Sequence, residues 1–558
     1  MDSHPTTTPP KGPSLGGRRG ARQPWRVIVV VTGVVLAACS GGLAPGAAPA
    51  SSPAVPTSGA AASGSPSSPM ARVPLVDGIA GLAPRAVWQH FSDLNAIPRM
   101  SHQEARVSAF VAAFGRSLGD QTTVNDVGNV IIHVAATSGM EDRPGVVLQA
   151  HLDMVGEKTA DTVFNFDTEP IRAVLDDGWV HASGTTLGAD DGVGVALIMA
   201  LIEAKDVPHG PIEALFTVDE EDAFTGVSAL RAGDLQFRTC INVDNEIEGN
   251  LLVSSAGGVN VDAHTTYDEV ATPAGLTGFT VAVDGLLGGH SGVAIDKGRG
   301  SANQLIARFI AGVPAGLGVR VAAVRGGTVY NAIPSKATAI IALPGAQAGA
   351  LAAYAGEFAA AAVAKLGSAD PGLTVTVAPA DVPARVMTPA AQAAILGAIA
   401  AAPQGVQAMS PDVPGLVETS SNLGLLAIAD GTVTLGDLVR SAKDAERDVE
   451  ARRVADALAV VGARVATESA YAGWTANPDS RVLALMQDSY KRVFGTDATV
   501  AALHVGLETS LVGVTFPGMD MISVGPTIVG AHSPDERLDV ASVARAYDLL
   551  AATLGSVK

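Results

Sequence analysis

The chain has 558 residues, of which 47% are hydrophobic and 16% are charged, enough apolar material for a large core and more than one domain. Its formal net charge of -19 at pH 7 disfavours nucleic acid as a partner, because phosphate backbones are bound by basic surfaces.

The first 39 residues have the pattern of an export signal. Four arginines, the first of them Arg18, precede the apolar run 27–36, which is shorter than the roughly 20 apolar residues of a membrane-spanning helix. The run ends in "LAAC", which resembles the lipobox of bacterial lipoproteins, in which the cysteine is acylated and becomes the new N-terminus. We therefore expect an exported lipoprotein anchored to a membrane of the bacterial cell envelope through lipid on Cys39. The alternative is an ordinary cleaved signal peptide with a chance cysteine.

A tether is expected to follow the signal. Residues 40–73 consist almost entirely of Ala, Ser, Pro, Gly and Thr, a composition that cannot bury enough apolar surface to become ordered. Removal of residues 1–39 would leave 31 basic and 54 acidic groups, a net charge of -23. Once Cys39 is acylated, Cys240 is the remaining cysteine, so an internal disulfide cannot form and stability has to come from the core.

Residues 74–258 alternate between helix-like and strand-like segments, which predicts an α/β domain with a mixed, largely parallel sheet. The predicted helices are 84–94, 103–118 and 193–203. The predicted strands are 130–134, 145–150, 212–218 and 240–243.

The pattern changes after "SSAGG" and returns near the C-terminus. Residues 259–468 contain alternating strands such as "GFTVAVDG" and "LTVTVAPA" and an Ala-rich helix at 351–366, which predicts an inserted α+β domain. Residues 469–558 resemble the first block again, with a strand at 519–524, a glycine-rich loop and a last helix at 540–554. The simplest organisation is one α/β domain in two parts, 74–258 and 469–558, interrupted by the inserted domain.

Five segments of the outer domain carry acidic or imidazole side chains at the ends of strand-like runs or in a loop. They are His151 and Asp153 in "LQAHLD", Glu220 and Glu221 in "LFTVDEED", Asp244 in "INVDNE", His532 in "VGAHSPDE", and Asp190 in a glycine-flanked loop before a helix. In open α/β sheets ligands bind beyond the carboxyl ends of the strands, so these segments can converge. Two histidines with several carboxylates suit zinc, or less selectively cobalt or manganese. The number of carboxylates favours a pair of ions bridged by one of them.

The spacing also suggests supporting roles. A carboxylate two residues from a ligating histidine, on the same side of a strand, can hold the other ring nitrogen, which is a role for Asp153 beside His151. Glu220 and Glu221 point in different directions, so one can bind metal while the other transfers protons. An acidic loop such as "DEED" is by itself typical of a solvated surface, and only the five segments together favour a metal centre.

Several long stretches resemble one enzyme family. They are "LQAHLDMVGEK", "ASGTTLGADDGVGVALIMALIE", "TVDEEDAFTG", "INVDNEIEG", "GGHSG", "YNAIP" and "VETSSNLG". After the tether, the chain resembles the dinuclear zinc peptidases of the M20 family, in particular the aminoacyl-histidine dipeptidases. The resemblance implies an α/β zinc-peptidase catalytic domain interrupted by an inserted α+β lid and dimerisation domain.

The resemblance assigns roles to the metal-site residues. It implies that the ligands of two Zn²⁺ ions, for which Co²⁺ or Mn²⁺ could substitute, are His151, Asp190, Glu221, Asp244 and His532. Asp190 would bridge the ions and be joined to Asp191 by a cis peptide. Glu220 would be the general base, and Asp153 would orient His151.

In the lid, His290 of "GGHSG", Asn331 of "YNAIP" and Arg440 of "LVRSA" match positions that hold the substrate. The lid histidine can serve a neighbouring subunit in this fold, so a homodimer formed through the lid is expected.

The expected function is that of an exported, lipid-anchored metallodipeptidase acting on short peptides, such as Xaa-His dipeptides. One alternative keeps the fold and changes the substrate to N-acyl amino acids or tripeptides. Another is a lipoprotein that binds peptides or metal without hydrolysis. The leader, the tether and the Ala-rich lid depart from the family pattern, and they leave the preference for a C-terminal histidine open.

Overall fold

A computed structural model of the chain describes residues 78–558 apart from positions 412, 414 and 460. The predicted signal peptide, Cys39 and the tether lie outside the described residues. Within the part that is described, no helix is both long enough and apolar enough to cross a membrane.

The helices follow the predicted pattern closely in the outer domain. The α-helices of the described residues are α1 Arg85–Asn95, α2 Ala105–Leu118, α3 Ala189–Glu203, α4 Thr225–Ser228, α5 Ala302–Gly312, α6 Ala348–Leu366, α7 Pro389–Ala401, α8 Asp444–Ala459, α9 Arg481–Phe494, α10 Glu508–Thr515 and α11 Val540–Leu554. Helix α3 starts earlier than the predicted residue 193. Asp190 and Asp191 in its first turn have non-helical dihedrals and are joined by the expected cis peptide, so regular geometry begins at Gly192.

The strands of the first part of the chain are β1 Gln121–Val124, β2 Val130–Val134, β3 Val146–His151, β4 Ala173–Asp176, β5 Trp179–Ala182, β6 Ile212–Thr217, β7 Thr239–Asn242 and β8 Asn250–Ser255. The strands of the middle part are β9 Gly257–Thr266, β10 Glu269–Ala271, β11 Leu276–Asp284, β12 Gly289–His290, β13 Arg320–Thr328, β14 Ala332–Ile333, β15 Ala337–Pro344, β16 Thr374–Ala380, β17 Arg385–Met387, β18 Gly405–Met409, β19 Val417–Ala429, β20 Thr432–Ser441 and β21 Arg464–Tyr471. The last strands are β22 Thr499–Leu503, β23 Asp520–Ser523, β24 Ile528–Val529 and β25 Arg537–Asp539.

An eight-stranded mixed sheet with the order β1-β2-β6-β3-β7-β23-β8-β22 forms the centre of the outer domain. Strands β6, β3, β7 and β23 are parallel neighbours, while β1 and β2 are antiparallel at one edge. Every residue of β3 and β6 is buried, as expected for strands covered on both faces. Strands β22 and β23 complete the sheet from the C-terminal block, which confirms the predicted fold class.

Helix α3 lies in the core of this domain. Its residues 189–202 are all buried, and it packs against α1 and β3. A helix that is apolar on all sides has to be covered on all sides. An added Cβ at Gly194 would clash with the carbonyl oxygen of Val243, so this glycine permits the helix to approach the end of β7.

A second sheet of nine strands follows the order β16-β11-β15-β13-β19-β20-β9-β21, with β18 paired to β19. Its pairing extends from Gly257 to Tyr471, whereas the sequence pattern places the domain joins at 258/259 and 468/469. Helices α5, α7 and α8 pack on this sheet around a second apolar core. A short two-stranded ribbon is formed by β12 and β14; it contains His290, and Asn331 immediately precedes β14.

Candidate metal centre and active site

The five predicted ligands come from the ends of neighbouring elements. His151 is the last residue of β3, and Glu221 and Asp244 follow β6 and β7. These strands are parallel neighbours, so their carboxyl ends meet at one edge of the sheet. Asp190 lies in the first turn of α3, and His532 lies in the loop between β24 and β25.

The side chains of these residues converge on Asp190. The Nε2 atom of His151 lies 3.3 Å from Asp190 Oδ1 and 3.6 Å from Asp244 Oδ1. The Nε2 atom of His532 lies 3.1 Å from Asp190 Oδ2 and 2.9 Å from Glu221 Oε2. Asp190 thus presents one carboxylate oxygen to each imidazole, and each imidazole has a second carboxylate beside it. This is the arrangement expected of a carboxylate shared between two cations.

The donor set fits divalent cations. Ligand atoms of His151, Asp190 and Glu221 lie within 4.8 Å of one another, and a second group is formed by His151, Asp191 and Asp244. Glu221 Oε1 is buried and has no hydrogen-bond partner among the described residues. Leaving a buried carboxylate oxygen unpaired is costly, and a cation would remove that cost. We conclude that the residues can hold two cations on either side of Asp190.

The carboxyl groups of the site are buried close together, and the positive charges around them do not fully balance their negative charges. Burial, followed by the charge of Asp190, raises the pKa of Glu221 to about 7. Burial also raises the pKa of Asp244 to about 6, although His151 opposes it. Burial, with the charge of Glu221, raises the pKa of Glu220 well above its ordinary value. Bound cations would relieve this repulsion.

The two imidazoles show the opposite balance. Burial alone would lower the pKa of His532, but Glu221 and Asp190 outweigh it and raise that pKa to about 12. His151 is likewise desolvated, yet its carboxylate partners, Asp153 first among them, raise its pKa well above the ordinary value. Without cations, protonated imidazoles therefore serve as the counter-charges. Cations would displace these protons, because a ligating imidazole must be neutral.

Asp153 connects His151 to the turn that carries the two glutamates. Its Oδ1 lies 3.3 Å from His151 Nδ1 and accepts a hydrogen bond from the backbone N–H of Glu220 at 3.1 Å. Its Oδ2 accepts from the backbone N–H of Glu221 at 3.1 Å and from Ser101 Oγ at 2.8 Å. Burial opposes ionisation, but His151 and these donors lower the pKa of Asp153 to about 2. The contacts place Asp153 where the predicted orienting residue has to be.

Two residues that support the site were not predicted from the sequence. The carboxylate of Glu536, 2% exposed, accepts hydrogen bonds from the consecutive backbone N–H groups of Leu187, Gly188, Ala189 and Asp190. The buried guanidinium of Arg99 donates to the carbonyl oxygens of Leu152, Asp153 and Gly188. Glu536 follows His532 in "HSPDE", and the helix start at Asp190 requires an acceptor, but nothing local in the sequence connects the two.

A further polar layer that was not predicted lies beneath the ligands. Glu508 at the start of α10 is fully buried and accepts hydrogen bonds from Gln149 Nε2 at 2.5 Å and Thr217 Oγ1 at 2.6 Å. Asn242 Nδ2 donates to Gln149 Oε1 at 2.6 Å. Burial raises the pKa of Glu508 to about 8. Since these partners lie on β3, β6 and β7, the network joins the three strands that end in the site.

Two of the predicted lid residues, His290 and Arg440, lie near each other, and His290 is close enough to His532 of the same chain for their charges to interact. Burial, and then the charges of Arg440 and His532, lower the pKa of His290 to about 3, so His290 is neutral at neutral pH. Arg440 is 5% exposed, and its Nη1 donates to Ser291 Oγ at 2.5 Å. The buried Nε of Arg440 has no hydrogen-bond partner among the described residues. Asn331, by contrast, is exposed.

The loop after β22 joins the lid to the catalytic sheet. His504 Nε2 lies 2.8 Å from Ser420 Oγ on β19, and both residues are buried. An added Cβ at Gly292 would lie only 2.6 Å from the carbonyl oxygen of His504. The "GGHSG" segment therefore packs directly against the catalytic part of its own chain, and His290 of this segment is near enough to His532 for their charges to interact within one chain.

Comparison with known families agrees with this geometry. The model of peptidase family M20/M25/M40 matches residues 147–556, most of the chain. The chain belongs to this family. It is thus a peptidase, which confirms the resemblance inferred from the sequence motifs, and its described ligand groups are those of a metal-dependent hydrolase.

Individual relatives extend the match over nearly the whole described chain. The cytosol non-specific dipeptidase of Escherichia coli K12 is 35% identical over 476 residues, which is 85% of this chain and 98% of the relative. The solved aminoacylhistidine dipeptidase from Vibrio alginolyticus is 37% identical with a TM-score of 0.79, covering 86% of this chain and 98% of that chain. A tripeptidase from Staphylococcus aureus is 15% identical with a TM-score of 0.53, covering 85% and 99% of the two chains, which shows the shared fold alone.

Proposed function

We propose that the chain is a dizinc dipeptidase that hydrolyses short peptides with a free C-terminal carboxylate, Xaa-His dipeptides among them. The observation that carries the proposal is the carboxylate of Asp190, which offers one oxygen to each of two imidazoles. Glu220 is adjacent to the predicted ligand Glu221, and its carboxyl is close enough to His151 for the two charges to interact. The names of the relatives from Escherichia coli and Vibrio alginolyticus support dipeptides as the substrate class.

Different residues of the site would bind the cations, transfer protons and orient a ligand. The five ligands would hold two cations, which when bound supply electrophilic activation of the scissile carbonyl and of water. Glu220 removes a proton from the attacking water and delivers it to the leaving amine. Asp153 Oδ1, 3.3 Å from His151 Nδ1, would orient the His151 ring and favour the tautomer that carries its proton on Nδ1.

The lid residues recognise the other end of the substrate. Arg440 is a buried cation with unused donor capacity, which suits a free carboxylate. Neutral His290 can donate a hydrogen bond to the developing oxyanion, and exposed Asn331 can donate its amide. A site whose carboxylate donors lie this near the metal ligands would accept short peptides rather than long chains.

We also propose that the protein is exported and anchored to a membrane of the cell envelope. Lipid on Cys39 would anchor the enzyme in the cell envelope, with residues 40–73 as the tether, and the "LAAC" pattern supports this. The Escherichia coli relative is named as cytosolic, so the leader would distinguish the two proteins. Mass spectrometry of the mature N-terminus from wild type and Cys39→Ser tests acylation.

A homodimer through the lid is retained as a proposal. Because His290 reaches the site of its own chain, such a dimer would not be required to complete the site. Specific activity measured over a hundredfold dilution, alongside light scattering, tests both statements: an active monomer would show that dimerisation is dispensable.

A panel of substrates tests the proposed reaction. Dipeptides ending in histidine and in other residues, tripeptides and N-acyl amino acids are incubated with the soluble domain, and metal content is measured on the same preparation. We expect turnover of dipeptides with two zinc ions bound, and loss of turnover in Glu220→Ala but not in Glu141→Ala, which removes an exposed glutamate. Preferred turnover of tripeptides or acylated amino acids would favour that alternative, and tight binding without turnover would favour the binding lipoprotein.

A further inference from the structure

We propose that Asn422 is a positioning residue for the substrate-carboxylate side of the site. The inference rests on the proposed function, because it concerns the lid residues that would hold the substrate. It assigns a role to the "VETSSNLG" stretch, residues 417–424, which the catalytic roles above leave unexplained. Asn422 lies on β19 and is 1% exposed, so its side chain cannot contact solvent or substrate directly.

Both amide hydrogens of Asn422 bind the loop that carries Asn331. Its Nδ2 donates to the carbonyl oxygen of Tyr330 at 2.7 Å and to that of Ala332 at 2.8 Å. These carbonyls flank Asn331 on either side. The clamp therefore fixes the backbone of Asn331 while its side chain stays exposed.

The clamped loop leads directly into β14 of the β12–β14 ribbon. His290 pairs with Ala332 in this ribbon, and the backbone N–H of Ser291 donates to the carbonyl oxygen of Asn331 at 2.7 Å. Ser291 Oγ in turn accepts the 2.5 Å hydrogen bond from Arg440 Nη1. One connected set of hydrogen bonds thus runs from Asn422 through the ribbon to Arg440.

The amide of Asn422 is itself fixed in orientation. Its Oδ1 accepts from Gln404 Nε2 at 3.3 Å, which leaves Nδ2 to face the two carbonyls. Its backbone N–H donates to Asp437 Oδ1 at 3.2 Å. Strand β19 pairs with β20, which carries Arg440, so the clamp and the guanidinium belong to adjacent strands. An aspartate at this position would place an oxygen against two carbonyl oxygens.

Such a clamp matters because binding a carboxylate depends on the relative position of its donors. A misplacement of about 1 Å can cost roughly a hundredfold in rate. Loss of the clamp should therefore weaken recognition of the carboxylate and leave the metal ligands in place. A general loss of lid stability would instead weaken all substrates alike.

The test compares a dipeptide, Gly-His, with its C-terminal amide. In the Asn422→Asp variant an acceptor oxygen replaces the amide group that donates to the two carbonyl oxygens. The Ser291→Ala variant removes only the hydrogen bond to Arg440, and it provides the test if Asn422→Asp folds poorly. Asn303→Ala is the matched control, because Asn303 is a fully buried lid asparagine that donates to a single carbonyl, that of Leu423. We expect kcat/KM for Gly-His to fall about a hundredfold in Asn422→Asp, and by about tenfold in Ser291→Ala, with less than about a threefold change for the amide.

Calorimetric binding of both ligands in the Glu220→Ala background separates this inference from the proposed function, because it requires no turnover. Selective loss of Gly-His affinity in the Asn422 and Ser291 variants would support the positioning role even if the wild type hydrolysed no dipeptide. The positioning role would be overturned if the variants lost equal affinity for the acid and the amide, or if Asn303→Ala lost as much affinity as they do. It would also be overturned if the variants showed no change in affinity, or if the wild-type protein did not prefer the acid.

Discussion

Glu220 and Glu221 are adjacent in the chain, yet their surroundings differ. Glu221 Oε2 lies 2.9 Å from His532, and its other oxygen is buried without a partner among the described residues. The backbone of both residues is held by Asp153. Strand spacing left open which glutamate binds metal, because alternation along a strand says only that the two side chains diverge, and it was the family resemblance that assigned Glu221 as the ligand. The position of His532, more than three hundred residues away, supplies the difference.

These surroundings predict different outcomes for the two substitutions. Glu220→Gln should lower kcat by about 10² to 10⁴ while zinc content stays at two per chain, because only proton transfer is lost. Glu221→Gln should lower zinc content itself, since it removes a ligand. Metal analysis beside steady-state kinetics measures both. Equal zinc loss in the two variants would contradict the assignment of Glu220 as base.

The charge balance of the site predicts how the metal-free protein responds to pH. Glu221 and Asp244 have folded-state pKa values of about 7 and about 6, above the ordinary values near 4 of an unfolded chain. Buried Glu508 and Asp437, raised to about 8 and about 7, act with the same sign. Over this window these four carboxyls bind more protons in the folded state than in the unfolded state, and they outnumber His290 and His504, whose pKa values are lowered to about 3 and which act with the opposite sign below about pH 6.5. The free energy of unfolding should therefore rise as pH falls from about 8 to about 5.

His532, with its pKa raised to about 12, adds stability that is lost as pH rises above about 6.5, which is the same direction. Bound zinc should displace these protons and flatten the dependence, and zinc affinity should weaken as pH falls. Urea unfolding at several pH values, with chelator and with zinc, measures this. A metal-free protein that becomes less stable between pH 8 and pH 5 would refute the charge balance described.

Among the structural elements, the start of α3 depends on a residue far away in the chain. Four consecutive N–H groups at 187–190 donate to the Glu536 carboxylate, and this contact holds the backbone of Asp190, the predicted bridging residue. Helix α3 and strand β2 are largely apolar runs and α11 has an amphipathic pattern, and all three were predicted because these signals are local in the sequence. Strands β12 and β14 have only two residues each, too few to show an alternating hydrophobic pattern. The contacts of His290 and Asn331 in the lid could therefore be known only from the structure.

Removal of the Glu536 carboxylate should weaken both the fold and the site. Glu536→Gln replaces one acceptor oxygen with an amide group facing N–H donors, which should cost roughly 1 to 3 kcal/mol of unfolding free energy and lower zinc affinity. Asp497→Asn is the control, because it removes an exposed carboxylate paired with Lys491 and should cost less than about 1 kcal/mol. Urea unfolding and chelator competition measure the two effects. Unchanged zinc affinity in Glu536→Gln would show that Asp190 is positioned by other contacts.

At the scale of the whole molecule, the sequence predicted an α/β sheet split by an insertion, and the split is seen in β22 and β23 joining a sheet otherwise built before residue 256. The convergence of the predicted ligands could be expected from the sequence, because each of these residues follows a recognisable strand or loop. Arg99, Glu508 and Glu536 were not, because their partners are backbone groups and strands distant in sequence. The packing of the lid against the catalytic part of its own chain was also not predictable, since sequence motifs do not specify which subunit a lid covers.

Anomalous diffraction from crystals of the zinc-loaded protein tests the dinuclear site most directly. We expect two peaks per chain, one between His151 and Asp244 and the other between His532 and Glu221, with Asp190 contacting both. A single peak, or peaks that do not contact Asp190, would contradict the assignment of a shared carboxylate and the reaction built on it.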